Sequence, residues 1–342
     1  MRVLVIGGTN FIGPYVVRQL HRQGHEVTVY HRGRHEPDLP ADVRHIHSPR
    51  AGIPVLHLPS ELSHPAPDVV LHMFPVGEDD TRAAIARFAG VARRMVAVSS
   101  GDVYRAYGRI LGLESGPPEP VPLSEDAPLR EVHFPYRQSA AGPSDWTYHY
   151  EKILAERALL GGPIRATVLR LPAVYGPGDP HHRFRPYIKR MQDQRPAIAL
   201  EQHQAAWRWS HGYVEDVAAA IALAVTNEPA AARVFNVGEP DVPSTIERLT
   251  RLGKLMGWSG RLVRLPDEQL PQHLRAPYQP TQDLVLDTGR IRAELGFSET
   301  DLPELGLRRT VDWELSQPAL PGDPDPQLYA LEDAALSQGR PV

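Results

Sequence analysis

The chain has no cysteine, which excludes disulfides, thiolate nucleophiles and cysteine-ligated zinc. It is nearly as poor in lysine: of 37 basic residues only Lys152, Lys189 and Lys254 are lysines, and the rest are arginines. No uninterrupted apolar run approaches the roughly 20 residues of a membrane span. The first strand-like run opens at Met1, leaving no room for a signal peptide, so the cytoplasm is the expected location. A net charge of −4 gives no general attraction to nucleic acid or anionic membrane. Within 342 residues, 42% apolar and 23% charged, there is material for one large domain or for a domain carrying a smaller lobe. The 35 prolines predict stiff loops.

What is present begins with Met1 to Ile6, a short apolar β-branched run typical of a buried parallel strand. Gly7-Gly8-Thr9-Asn10-Phe11-Ile12-Gly13 follows, and then a helical pattern that stops at Gly24. A strand, a glycine turn and a helix in that order form a pyrophosphate cradle, because glycines let the backbone approach while the helix N-terminus offers free N–H groups. Pro14 suits the first helical turn, and Asn10, in the place of a middle glycine, is expected to tolerate left-handed dihedrals. A second strand, Val27 to Tyr30, ends at His31-Arg32-Gly33-Arg34, where dinucleotide folds carry an acid for the ribose hydroxyls or an arginine for a 2′-phosphate. The acid is missing. His31 and Arg32 therefore favour NADP over NAD.

Further along, Tyr148 and Lys152 are four residues apart, a spacing that puts both on one helix face. Tyrosine titrates near 10 and needs a neighbouring cation before it can act as an acid or base near neutrality. Keeping one of three lysines beside a tyrosine fits that need, since a compact ammonium can reach both a phenol and a ribose hydroxyl. Strands are expected at 43–47, 68–74, 95–98, 166–171 and 234–237, with helices at 81–90, 146–159 and 214–225. Such alternation predicts an α/β fold, a doubly wound parallel sheet of Rossmann type. The dinucleotide-binding domain is expected over 1–175 plus 211–240, and a smaller substrate-binding lobe over 176–210 plus 241–342. Proline-dense residues 116–135 read as an ordered loop beside the sheet's carboxyl edge.

In order along the chain, Gly7 to Gly13, His72-Met73, Ser99-Ser100-x-x-Val103-Tyr104, Tyr148-x-x-x-Lys152, Leu169-Arg170 to Pro177, Tyr213 to Ala218 and Asn236-Val237-Gly238 resemble the extended short-chain dehydrogenase/reductases, of the NAD-dependent epimerase/dehydratase family. The resemblance implies hydride transfer at a secondary alcohol carbon of a sugar or nucleotide sugar, by a homodimer. It implies that Ser100 orients the substrate oxygen, Tyr148 exchanges its proton and Lys152 binds the nicotinamide ribose. It places Asp102 where dehydrating members carry an acid. Cofactor contacts would come from Gly7, Thr9, Asn10, Phe11, Ile12, Gly13, His31, Arg32, Phe74, Pro75, Lys152, Pro172 and Val174, and substrate contacts from Tyr104, His182, Arg183 and Arg208.

This chain departs from the family pattern in two places. Ser48-Pro49 stands where an aspartate near the adenine is common, and a diphosphate-binding arginine would fall near Trp209, with Arg208 one residue early. Arg183, Arg185 and Arg208 could together form an anion clamp. An NADP-dependent reductase of a small carbonyl compound is the alternative. Gly7 to Gly13 with Arg32-Gly33 is also similar to the chloroplast stem-loop RNA-binding branch of the superfamily, but net negative charge and an intact Tyr-Lys pair speak against RNA. His181, His182, His203 and His211 lack helical ligand spacing with a carboxylate, so no metal is expected.

Overall fold

The computed structural model describes residues 1–49, 52–276, 278–299 and 303–338. Its first half alternates β1 (Arg2–Ile6), α1 (Ile12–Arg22), β2 (Glu26–His31), β3 (Arg44–His47), β4 (Val69–His72), α2 (Glu78–Phe88), β5 (Arg94–Ser100) and α3 (Arg105–Ile110). Then come α4 (Trp146–His149), α5 (Lys152–Leu160), β6 (Arg165–Leu171), β7 (Ala173–Tyr175), α6 (Arg185–Gln192), β8 (Ala197–Glu201) and α7 (Gln202–Ala206). The remainder holds β9 (His211–Tyr213), α8 (Val214–Thr226), β10 (Val234–Asn236), α9 (Thr245–Leu255), β11 (Arg261–Leu265), α10 (Gly289–Leu295), α11 (Pro303–Ser316) and α12 (Pro326–Gln338).

Seven strands form one parallel sheet in the order β3-β2-β1-β4-β5-β6-β10. Its central strands are apolar on both faces, as a sheet covered by helices requires: Val3 to Ile6 and Met95 to Val98 are all buried. On one face α1 packs against α8, and on the other α2 packs against α5. The order reverses between β1 and β4, and ligands of such sheets bind beyond the carboxyl ends at that point. Two small parallel sheets, β8 with β11 and β7 with β9, build the part that faces this edge. Among the described residues no helix is long and apolar enough to cross a membrane.

The sequence expectation for one helix over 146–159 is corrected. The chain leaves helix geometry at Tyr150 (φ −68°, ψ 111°) and Glu151 (φ −154°, ψ 90°), which separate α4 from α5. Specific bonds hold the break. The Glu151 N–H donates to the Val76 carbonyl (2.8 Å), and the Glu151 carboxylate caps α5 by accepting from the Ile153 N–H (2.9 Å) and takes a second bond from the Phe134 N–H (2.5 Å). Gly77 makes room for this, since a Cβ there would meet the His149 carbonyl oxygen at 2.8 Å.

Under the sheet edge, Arg170 on β6 is buried in a polar network. Its guanidinium donates to Glu156 (2.7 Å), to the Tyr104 hydroxyl (3.0 Å) and to the Glu125 carbonyl (2.8 Å), while Ser99 donates to Glu156 (2.5 Å). Removing one partner strands the other charge in the core. Glu156→Ala is therefore expected to lower unfolding free energy by about 3–5 kcal/mol. Urea denaturation of the variant against the parent checks this, and a loss under about 1 kcal/mol would contradict it.

Candidate active site

The glycine turn is built for close approach. Gly7 and Gly8 have φ of +87° and +86°, and a Cβ on Gly13 would lie 2.3 Å from the Gly8 Cα. Asn10 is not the left-handed residue that its tolerance suggested; the positive φ falls on Phe11 (42°). Phe11 is also the N-cap of α1 and carries no capping oxygen, so no side chain bonds the amide groups of the first turn. The positive dipole end of this helix start accepts an anion, and a pyrophosphate fits the glycine turn before it.

At the end of β2, His31 is buried between His45 and His47 of β3. The Gly33 N–H donates to His31 Nδ1 (3.2 Å), which leaves the neutral ring's proton on Nε2, 3.0 Å from His45 Nδ1. Burial holds the His31 pKa down. The Glu36 carboxylate lies over this cluster, 2.8 Å from His47 Nε2 and 3.5 Å from His45 Nδ1, and the His47 bond lowers its pKa. His31, Glu36 and His45 present ligand-type atoms within 4.8 Å of one another, and the His31 Nε2 proton is directed at His45 Nδ1.

Between the carboxyl ends of β4, β5 and β6 opens a cavity of about 640 Å³, bordered by Phe74, Ser100, Asp102, Tyr150, Leu171 and Pro172. Tyr150 enters it because of the break before α5. Its hydroxyl donates to Asp102 Oδ2 at 2.7 Å. Burial, then the Asp102 charge, push this phenol well above its ordinary value, while a bond with the Ser100 hydroxyl pulls the other way. Asp102 is itself raised by burial, against the pull of Arg130, and its Oδ1 has no partner. Tyr136 sits 3.5 Å from Asp102 Oδ2 and 2.9 Å from the Tyr107 hydroxyl, so phenols line the carboxylate's open side.

Lys152 is buried below. Its ammonium donates to the carbonyls of Pro75 (2.6 Å) and Val98 (3.2 Å) and lies 5.5 Å from the Tyr150 ring centre. Burial lowers its pKa to about 8, with Asp102 opposing. Ser100 and Asp102 flank the start of a short turn, where the Asp102 N–H donates to the Ser100 hydroxyl (3.2 Å).

Tyr148, in contrast, is not part of the cavity's lining. Its ring faces the Arg137 guanidinium at 4.7 Å and packs against His149. Three expected substrate contacts also lie elsewhere. Tyr104 is fully buried, donating to Asn236 Oδ1 (2.6 Å) in the Arg170 network. His182 bonds Glu314 and stacks on Trp313, and Arg208 is exposed with its Nε donating to the Val242 carbonyl. Only Arg183 of that set borders the cavity. The anion clamp is not assembled either: Arg185 is committed to Asp323 (2.6 Å) and Arg183 to Asp179 (2.7 Å). Residues that the sequence reading missed include Tyr150, Tyr136, Trp207, Trp209, His211 and Arg248. Tyr150 stands two positions before Lys152, a spacing that an unbroken helix would not bring to one face.

Residues 3–238 match the model of the NAD dependent epimerase/dehydratase family. The chain is 23% identical over 335 residues to the UDP-N-acetyl-alpha-D-glucosaminuronate decarboxylase of Bacillus cytotoxicus, covering 91% of this chain and 97% of that one. Among solved structures, it is similar to UDP-glucose 4-epimerase of Thermotoga maritima with UDP-glucose (TM-score 0.66, 19% identity, 92% of this chain and 98% of that). It is also similar to the UDP-glucuronic acid 4-epimerase of Bacillus cereus in complex with UDP-glucuronic acid and NAD (TM-score 0.65, 20% identity, 92% and 99%).

Proposed function

Because the chain belongs to the NAD-dependent epimerase/dehydratase family, we propose that it is a nicotinamide-dependent oxidoreductase or epimerase acting at a secondary alcohol carbon, with Tyr150 and Asp102 as its proton-transfer pair. A sugar or nucleotide sugar is the substrate class carried by the names of its relatives, and a small carbonyl compound is the alternative. The observation that carries the reading is the 2.7 Å bond from the Tyr150 hydroxyl to a buried carboxylate inside a cavity at the carboxyl ends of β4, β5 and β6.

The glycine turn and the start of α1 would hold the cofactor's pyrophosphate, and Phe74, Pro75, Pro172 and Lys152 would border its nicotinamide end. When bound, the nicotinamide supplies hydride exchange at the substrate carbon. The chain's own residues handle the proton. Ser100 orients the substrate oxygen. Tyr150 takes the carbinol proton while passing its own to Asp102, so no isolated phenolate forms beside a carboxylate. Asp102's raised pKa suits it as the receiving base, and the return path delivers a proton to a carbonyl oxygen. Lys152 fixes the carbonyls that end β5 and precede α2, and its charge offsets that of Asp102.

Tyr150→Phe is expected to lower kcat by about 10²–10⁴-fold with cofactor affinity retained, whereas Tyr148→Phe leaves kcat within about threefold. Nicotinamide absorbance across a panel of sugar and aryl carbinols checks this, and the reverse pattern of losses would contradict it. The alcohol-oxidising direction requires ionised Asp102 and charged Lys152. Its rate is expected to fall on the acid side at a pH above the ordinary aspartate value and on the alkaline side near pH 8; a profile flat through pH 8 would count against the role of Lys152.

For the cofactor, His47, now bonded to Glu36, together with Arg32 favours a 2′-phosphate, and Glu36 occupies the place of that anion. Titrating NADPH and NADH by fluorescence should give tighter NADPH binding, strengthened in Glu36→Gln with NADH unchanged. Equal effects on both would contradict the phosphate assignment.

A further inference from the structure

Ten of the chain's 24 Phe, Tyr and Trp residues border the one cavity that holds Tyr150 and Asp102. Three of them form a continuous wall of that cavity: Trp207 lies 4.9 Å from both Trp209 and Tyr278, centre to centre. His211 extends it, stacked on Phe184 and edge-on to Trp209. Faces and edges at such spacing favour a flat ring as partner.

The same cavity has little to offer a diphosphate. Its two guanidinium groups are already neutralised, Arg183 by Asp179 (2.7 Å) and Arg248 by Glu239 (3.0 Å). Burial holds both His181 and His211 below the ordinary histidine value, so they are neutral at pH 7. The lining carboxylate is Asp102, which repels anions when ionised. Two negative charges brought into this desolvated space would meet no uncommitted cation among the described lining residues. Neutral donors and acceptors are available: the Trp209 indole N–H is buried without a partner, and His211 donates from Nδ1 to the Trp209 carbonyl (2.7 Å), leaving Nε2 as an acceptor.

We propose that the substrate is an uncharged molecule in which an aromatic ring adjoins the reacting carbinol or carbonyl, held between the Trp207-Trp209-Tyr278 wall and Tyr150, and that it carries no diphosphate. This rests on the reading of the cavity as a hydride-transfer site. In the reducing direction the carbonyl carbon gains a hydride from the reduced nicotinamide, the two-electron donor, and its oxygen gains the Tyr150 proton, replaced from Asp102.

The test uses the full chain with NADP(H) and two probes, acetonaphthone, an aryl methyl ketone, and UDP-glucose. Acetonaphthone is expected to quench tryptophan emission and to oxidise NADPH. Trp209→Ala should weaken its binding about tenfold, Trp209→Phe should restore most of the loss, and UDP-glucose should not displace it. Displacement by UDP-glucose, or acetonaphthone binding that is absent or indifferent to Trp209, overturns the inference. Binding that depends on Trp209 without NADPH oxidation upholds the ring-binding assignment and instead removes the hydride-transfer reading.

Discussion

A buried carboxylate, Glu151, shapes the site. Its oxygens are spent on the Ile153 and Phe134 N–H groups, with Arg130 3.5 Å away, and its own N–H is tied to Val76 at the entrance of α2. Those bonds stop one helix and start another within two residues. Without the break, an i,i+4 relation would place Tyr148 over Lys152. With it, Tyr150 is rotated into the cavity and Tyr148 is turned toward Arg137. Which tyrosine faces the cavity is thus decided by backbone capping rather than by the tyrosine-lysine spacing.

The second constraint is electrostatic. Arg94, Arg130, Arg170, Arg185 and Arg190 are all buried, and each is bonded to carbonyls or carboxylates. Arginine's planar fork satisfies several acceptors at once, which lets it serve as a structural crosslink inside the protein. These buried arginines are part of the architecture. That fork also explains why Arg183 and Arg185, which with Arg208 read as an anion clamp in sequence, are committed to Asp179 and Asp323. Lys152, the lysine placed at the site, keeps a compact charge where two backbone carbonyls must be drawn together.

The sheet was legible in the sequence because its signals are local. Runs such as Arg2 to Ile6 and Met95 to Val98 must be strands buried on both faces, and the glycine turn between β1 and α1 follows from sterics alone. Ser100 and Asp102, named from the resemblance, border the cavity because they follow a strand end, and Lys152 lies beneath it at a helix start. What escaped was set by distant partners. The Tyr150 break needs Val76 and Gly77, the aromatic wall needs Tyr278 brought beside Trp207, and the burial of Tyr104 follows from Asn236 and Arg170. None of these pairings leaves a periodic trace.

The most direct measurement of the central claim is a crystal structure of the chain with NADP bound. The account predicts the Tyr150 hydroxyl facing the nicotinamide ring from the Asp102 side, with Tyr148 remaining against Arg137. A bound state in which 148–152 form one continuous helix, with the Tyr148 hydroxyl over the nicotinamide and Tyr150 withdrawn, would contradict it.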